Sequence, residues 1–239
     1  MRIIICMKDI QVVDNLIPSS WADQLEYLFV GQGSVLDWNY NPSTVGLQKA
    51  PNVYSGVNTL DTPQMTHNFF NAGFSGKQFE YFDGLVLPIV YMMETHTGEK
   101  YQPDRIKANL LYNSIKTKGD KTIYGMPHTD RSQTNFKSMV YYVNDSDGDT
   151  VLFEEYENHE EPFSENYSQV GVDTFMLKQG VEFTHTKTEH NAPESITEVM
   201  RVSPKKGRAV IFDSNRFHCS STPVDSDFRC IINFVMQKI

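Results

Sequence analysis

Cysteine is scarce in this chain: three in 239 residues, at Cys6, Cys219 and Cys230, with no Cys-X-X-Cys pair. That is too few for a disulfide framework, and it fits a reducing compartment. Long apolar runs are missing as well. The start, "MRIIICMKDIQVV", has only five apolar residues in a row before Lys8, too short for an export signal. The run "GLVLPIVYMM" at 84–93 is interrupted by Pro88 and is about half of the roughly 20 residues that a spanning helix needs. Neither a membrane span nor secretion is expected, and the cytoplasm is the default location. The triplets Asn144-Asp145-Ser146 and Asn166-Tyr167-Ser168 would accept sugar only after secretion, so they are read as chance.

Basic residues are also in deficit, 21 Lys and Arg against 30 Asp and Glu, for a net charge of −9. A phosphate backbone finds no net attraction here, so nucleic acid is not an expected partner. The excess is local. The stretch "NDSDGDTVLFEEYENHEEPFSEN" at 144–166 holds nine acids and no Lys or Arg, and the rest of the chain balances. It reads as a solvated strand edge and loop, with an acidic lip for a basic substrate as the alternative.

What is present is 39% hydrophobic and 12% aromatic content without repeats, low-complexity tracts or linkers. One continuous domain is expected over 1–239, with a helical and loop support region over about 1–100 and a β-rich core over about 101–239. In "IPSSWADQLEYLFV", Pro18 and Ser19/Ser20 mark a helix start, and Trp21, Leu25, Leu28 and Phe29 follow at helical spacing. The Gly-, Asn- and Pro-rich stretch 31–80 reads as loops and short helices. After residue 100 the pattern changes to short strands rich in β-branched and aromatic residues: 105–112, 136–144, 150–156, 180–186, 196–204, 208–213 and 229–236. That many short strands predict a mainly β fold, a sandwich or jelly roll with N-terminal helices beside it.

Within the β-rich half, "GMPHTDRS" at 125–132 places His128 two residues before Asp130. On extended backbone both point to one face, and Thr129 points away. A third ligand comes from "GRAVIFDSNRFHCSSTP", where an apolar strand, a turn and then His218 follow one another. Two histidines and one carboxylate form the facial triad that leaves positions of Fe(II) open to substrates. Eleven residues later, Arg229 heads "RCIINFVM" and shares a strand face with Ile231, Asn233 and Val235. An arginine facing such a site is a clamp for a carboxylate, here the far end of a dicarboxylate. No role is assigned to His67, His96, His159, His185 or His190. Thr150 and Asn233 read as structural, and Cys219, next to a ligand on a strand, faces away as a small buried residue.

These residues carry a resemblance. His128-Thr129-Asp130, His218 and Arg229, with "MVYYVNDSDGDTVLFEE" and "VSPKKGRAVIFDSNRFH" between them, resemble the 2-oxoglutarate- and Fe(II)-dependent oxygenases, and most of all their prolyl 4-hydroxylase-like group. The likeness spans about 105–237, and "VVDNLIP" at 12–18 is similar to the usual entry into the first helix. The chain departs from the pattern at Gly148-Asp149-Thr150, a reduced Gly-Gly-X-Thr element, and in having Arg229 where many prolyl hydroxylases have lysine. The resemblance implies a double-stranded β-helix that binds Fe(II) through His128, Asp130 and His218. It also implies 2-oxoglutarate and O2 as cosubstrates and ascorbate as a compatible reductant, with succinate and CO2 released as a substrate is hydroxylated. Related halogenating enzymes have Gly or Ala in place of the carboxylate, so Asp130 points to hydroxylation. Tyr142 resembles a tyrosine that bonds the cosubstrate in relatives, but a one-residue shift in register would exchange it for Tyr141, and Tyr124 is a further candidate. Peptidyl proline, a free amino acid and a small metabolite all stay open as substrate. The alternative reading is a non-catalytic β-helix module that binds a metal or ligand.

Overall fold

The computed structural model describes residues 4–7, 9–42, 44, 59, 62–71, 80–113, 123–157 and 195–239, and of residues 4–7 only the backbone. The strand expected at 180–186, the acidic residues 158–166, and His159, His185 and His190 lie outside the described residues. Two antiparallel sheets and two helices make up the described fold.

The N-terminal strands β1 (Ile4–Met7) and β2 (Ile10–Val13) form a hairpin, with Asp9 in the left-handed region at φ 69°. Helix α1 covers Ser19–Phe29 behind Pro18, as the spacing predicts, although no serine side chain caps it. Of the apolar stripe read from the sequence, Leu25 and Phe29 are buried together with Ala22, while Trp21 and Leu28 are partly buried against the same core. The stretch read as loops and short helices instead supplies two strands, β3 (Asn39–Asn41) and β4 (Gln64–Asn71). A single π-helical turn, Phe82–Val86, then leads into helix α2 (Pro88–Thr97). Pro88 begins this helix, at a position where the missing N–H leaves no bond unmade. Gly98, at φ 75°, ends it in the left-handed conformation that favours glycine.

The remaining strands are β5 (Tyr101–Tyr112), β6 (Phe136–Tyr142), β7 (Thr150–Tyr156), β8 (Glu198–Val202), β9 (Ala209–Asp213), β10 (Arg216–Ser220) and β11 (Phe228–Lys238). The large sheet runs β1-β2-β9-β6-β11-β5-β4-β3 and the small one β10-β7-β8. The first hundred residues therefore supply strands to both edges of the large sheet as well as helices to its face.

Period-two alternation divides the interior into two layers. On one face of the large sheet, Ile106, Ala108, Met139, Tyr141, Ile211, Ile232 and Phe234 pack with Leu25 and Phe29 of α1 and Ile89 and Met93 of α2. On the other face, Ile10, Val12, Val140, Tyr142, Val210, Phe212 and Ile231 meet Leu152 and Val202 of the small sheet. Each fully buried side chain of this size contributes about 1.5–3 kcal/mol. This jelly-roll core is mainly β with flanking helices. No helix among the described residues is long and apolar enough to cross a membrane.

Candidate metal centre

A turn and a short antiparallel pairing bring His128 and His218 together. At Ser214-Asn215 the chain leaves β9 of the large sheet and enters β10 of the small one, so His218 lies across the interior from the strand before it. Residues 125–128 then run antiparallel to β10. Gly125 N–H donates to the Ser220 carbonyl at 2.6 Å, and His128 and His218 exchange backbone hydrogen bonds at 3.0 and 2.9 Å. A Cβ on Gly125 would sit 2.5 Å from the Ser220 oxygen, so only glycine allows this approach. Directly paired residues point to the same side of a sheet, and the two imidazole rings lie 4.6 Å apart.

Both imidazoles are oriented in the same way. His128 Nδ1 lies 3.0 Å from the Met126 carbonyl and His218 Nδ1 3.1 Å from the Arg216 carbonyl, each two residues back along the chain. A carbonyl only accepts, so both rings carry their proton on Nδ1 and turn an Nε2 lone pair into the interior. Burial, followed by the neighbouring His218, pushes His128 down to about 3, and burial also lowers His218, so both rings are neutral near pH 7.

Asp130 is placed by its N–H, which donates to the Ser214 carbonyl at 2.9 Å. Its Oδ1 accepts from Arg105 at 2.6 Å and its Oδ2 from Ser138 Oγ at 2.7 Å, while Asn233 Nδ2 lies 3.4 Å from both oxygens. Burial opposes ionisation of this carboxyl, but His218, Arg105 and His128 together hold it well below the usual carboxylate range. His218 Nε2 is 3.6 Å from Asp130 Oδ2, and the ligand atoms of His128, Asp130 and His218 all lie within 4.8 Å of one another. Two nitrogen lone pairs and one ionised carboxylate suit Fe(II) or a similar divalent ion. Thr129 points away and donates to Glu157.

Arg229 is buried in the same layer. It donates to Thr150 Oγ1 at 2.8 Å, and Tyr142 donates to that same hydroxyl at 2.7 Å. The guanidinium carbon stands 5.7 Å from the Tyr142 ring centre. No described carboxylate forms an ion pair with Arg229, and its Nε is a buried donor without a partner. Gly148 permits the close passage of the 147–149 turn, since a Cβ there would meet Arg229 Cδ at 3.0 Å and the Ser221 carbonyl at 2.9 Å. Asp147 holds the opposing turn by accepting from the N–H groups of Val224, Asp225 and Ser226.

The register separates the three tyrosines. Tyr142 pairs with Ile231 and shares the face of Arg229, whereas Tyr141 pairs with Ile232 and lies under the helices, its hydroxyl without a partner. Tyr124 donates to Glu198, packs on Phe153, and lies beneath Arg201 on the far side of the small sheet. Cys219 packs among Met126, Val151 and Phe153 on that far side as well.

Four residues at the site do not follow from the motifs. Arg105 and Ser138 hold Asp130, and Asn233 and Thr150, read as structural from the sequence, contact Asp130 and Arg229. Alternation alone could have found Arg105, since "RIKANLL" has polar residues at every second position. In the described part of the acidic segment, the acids other than the exposed Glu154 serve the fold. Asp145 accepts from Lys206 N–H, Asp149 faces Arg201, Glu155 accepts from Thr197 N–H, and Glu157 accepts from Thr129.

No protein-family model and no curated protein sequence matches the chain. Solved structures do. HygX from Streptomyces hygroscopicus, with nickel and 2-oxoglutarate bound, aligns over 96% of this chain and 82% of its own at 10% identity and a TM-score of 0.53. SnoK, a non-heme α-ketoglutarate-dependent carbocyclase from nogalamycin biosynthesis, aligns over 96% and 79% at 9% identity and a TM-score of 0.52. A 2OG-Fe(II) oxygenase family oxidoreductase from Burkholderia pseudomallei aligns over 92% and 78% at 10% identity and a TM-score of 0.50. The chain therefore has the fold of the 2-oxoglutarate- and Fe(II)-dependent oxygenases, with a His-Asp-His cluster inside it.

Proposed function

We propose that this protein is an Fe(II)- and 2-oxoglutarate-dependent dioxygenase that hydroxylates its substrate and releases succinate and CO2. The observation that carries the reading is the pairing of two groups on one interior surface: a preoriented His-Asp-His cluster and a buried arginine with no carboxylate partner among the described residues. A module that only bound a metal would have no use for the second.

His128, Asp130 and His218 would hold the iron, which when bound supplies the activation of O2 coupled to oxidation of the keto acid. Arg229 pairs with the distal carboxylate of 2-oxoglutarate, and Thr150 fixes its guanidinium. Tyr142 braces the same hydroxyl from the other side. The apolar group around Phe212, Leu152 and Ile231 keeps water from the space between the two ends. Along β11, Asn233 at the cluster and Arg229 are four residues apart, about 13 Å at the usual strand rise. Arg105, Ser138 and Asn233 keep Asp130 ionised and oriented throughout. The free, buried thiols of Cys219 and Cys230, raised by burial, suit the reducing environment of the cytoplasm.

Incubation with Fe(II), ascorbate and 2-oxoglutarate tests the reading by measuring succinate. Slow formation without any added substrate is expected, and it is lost in His218→Ala. Absence of both succinate and Fe(II)-dependent 2-oxoglutarate binding would leave the non-catalytic binding module as the correct description.

A further inference from the structure

The inner face of the large sheet changes character along its width. From β2 to β11 it is mainly apolar, interrupted by Ser138, Asn233 and Arg229 at the site, and the small sheet covers its apolar part. Beyond β11 it becomes polar. The residues of β5 that share the face of Arg229, Ile231, Asn233 and Val235 are Leu111, Asn109, Lys107 and Arg105, their direct partners in the register. Next, Thr66 and Asn68 of β4 stand opposite Asn109 and Lys107, and Asn39 of β3 stands opposite Thr66. The alternate residues Ile106, Ala108 and Leu110 are buried under the helices, so the strand cannot slip to hide the polar set without exposing an apolar one.

This polar floor adjoins the metal ligands. Lys107 lies opposite Asn233, which reaches Asp130, and the charge of Lys107 is felt at both His128 and His218. Arg105 is neutralised by Asp130 at 2.6 Å. Lys107, half-buried, forms no ion pair with any described residue, whereas the similarly buried cations Lys137, Lys206 and Arg208 each have an acid. Two acceptors flank it unused. Asn109 Oδ1 and Asn233 Oδ1 are buried without a hydrogen-bond partner among the described residues, and Asn233 has its amide N–H turned to Asp130, which leaves its oxygen as the unpaired acceptor. A half-buried ammonium and two unpaired acceptors on one floor are costly unless a ligand completes them.

We infer that the substrate of this site is a small carboxylic acid with a neighbouring N–H or O–H donor, a free amino acid being the simplest, held by its carboxylate on Lys107 and by its donor on Asn109 and Asn233. The inference rests on the oxygenase reading above and narrows it. Peptidyl proline, whose carboxyl and amine are both tied up in amide bonds, does not satisfy this floor.

The test is succinate formation from 2-oxoglutarate and Fe(II) with a panel of free L-amino acids, their methyl esters, and an end-blocked proline peptide. At least one free acid should raise turnover well above the substrate-free rate, and its ester should do so at least about tenfold less efficiently, the loss expected for one charge-assisted contact. In Lys107→Met that preference for acid over ester should collapse towards unity, and in Lys107→Arg it should persist in part. The acid-to-ester comparison needs only the wild-type protein, so it decides the matter even if Lys107→Met folds poorly. Stimulation by the blocked peptide alone, equal use of acid and ester, or no stimulation by any free acid would overturn the inference. So would a raised KM for 2-oxoglutarate in Lys107→Met with the acid preference kept, which would give the lysine to the cosubstrate. Failure of the oxygenase reading looks different, because the substrate-free succinate and the Fe(II)-dependent binding of 2-oxoglutarate would be missing too.

Discussion

His128 and His218, ninety residues apart, form a directly hydrogen-bonded antiparallel pair, with N–H to carbonyl distances of 3.0 and 2.9 Å. The His-Asp-His cluster thus depends on a backbone pairing as much as on side chains. His128→Ala and His218→Ala are each expected to abolish Fe(II) binding in titration calorimetry while the protein still melts cooperatively. Retained micromolar binding in either variant would remove that histidine from the ligand set.

Gly125 is the hinge of this pairing. Gly125→Ala would drive a methyl group into the Ser220 carbonyl, 2.5 Å from the ideal Cβ, and push residues 125–128 off β10. The expected cost is about 1–3 kcal/mol, as for overpacking elsewhere, together with weaker metal binding. Unchanged melting and unchanged metal affinity would show that the segment adjusts freely.

Arg105 donates to Asp130 of the candidate metal centre at 2.6 Å. Replacing it by Met leaves the carboxylate without its strongest partner, and metal affinity should fall by about 10- to 100-fold, as when other outer contacts to ligands are removed. Titration of Arg105→Met with Fe(II) or Ni(II) checks this. An unaltered affinity would mean that Ser138 and Asn233 are sufficient.

Thr150 joins Arg229 to Tyr142 through one hydroxyl. Thr150→Val preserves the shape and removes that oxygen, so about 1–3 kcal/mol of stability should be lost. The KM for 2-oxoglutarate should rise about fivefold or more, because the guanidinium is no longer held. A loss of stability with no change in KM would limit Thr150 to a structural role.

Burial works against ionisation of Asp147, but the N–H groups of Asp225, Ser226 and Val224 outweigh it and bring the carboxyl to about 2. A carboxylate held below its ordinary value stabilises the fold above that value and stops doing so as pH falls through the folded value. Asp147→Ala should therefore lower the melting temperature at pH 7, with the gap to wild type closing between about pH 4 and pH 2. A gap that stays constant across this range would point to lost hydrogen-bond geometry with no part played by charge.

Much of the fold is legible in the chain because strand alternation and helical spacing are written over a few neighbouring residues. The strands at 105–112, 136–144, 150–156 and 229–236, helix α1, and the shared face of Arg229 and Asn233 all follow from such short patterns. Strand β4 does not. "QMTHNFFN" has one β-branched residue, Thr66, and no apolar–polar alternation to mark a strand, and it becomes one by pairing with β5.

By itself the sequence determined the candidate ligand types, their order, and the direction in which each local pattern faces. Only the tertiary structure decided which strand lies beside which. The register of β6 on β11 placed Tyr142 within the interior and Tyr141 under the helices, and the crossing from β9 to β10 set His218 against His128. Pairing of β5 with β11 then turned Arg105 and Lys107 from two cations on an ordinary amphipathic strand into part of the wall of the site. The reason is one of range. Side-chain alternation is fixed by bonds between adjacent residues, whereas register and sheet order are settled by burying apolar faces contributed by segments up to about two hundred residues apart, a sum that no short window contains.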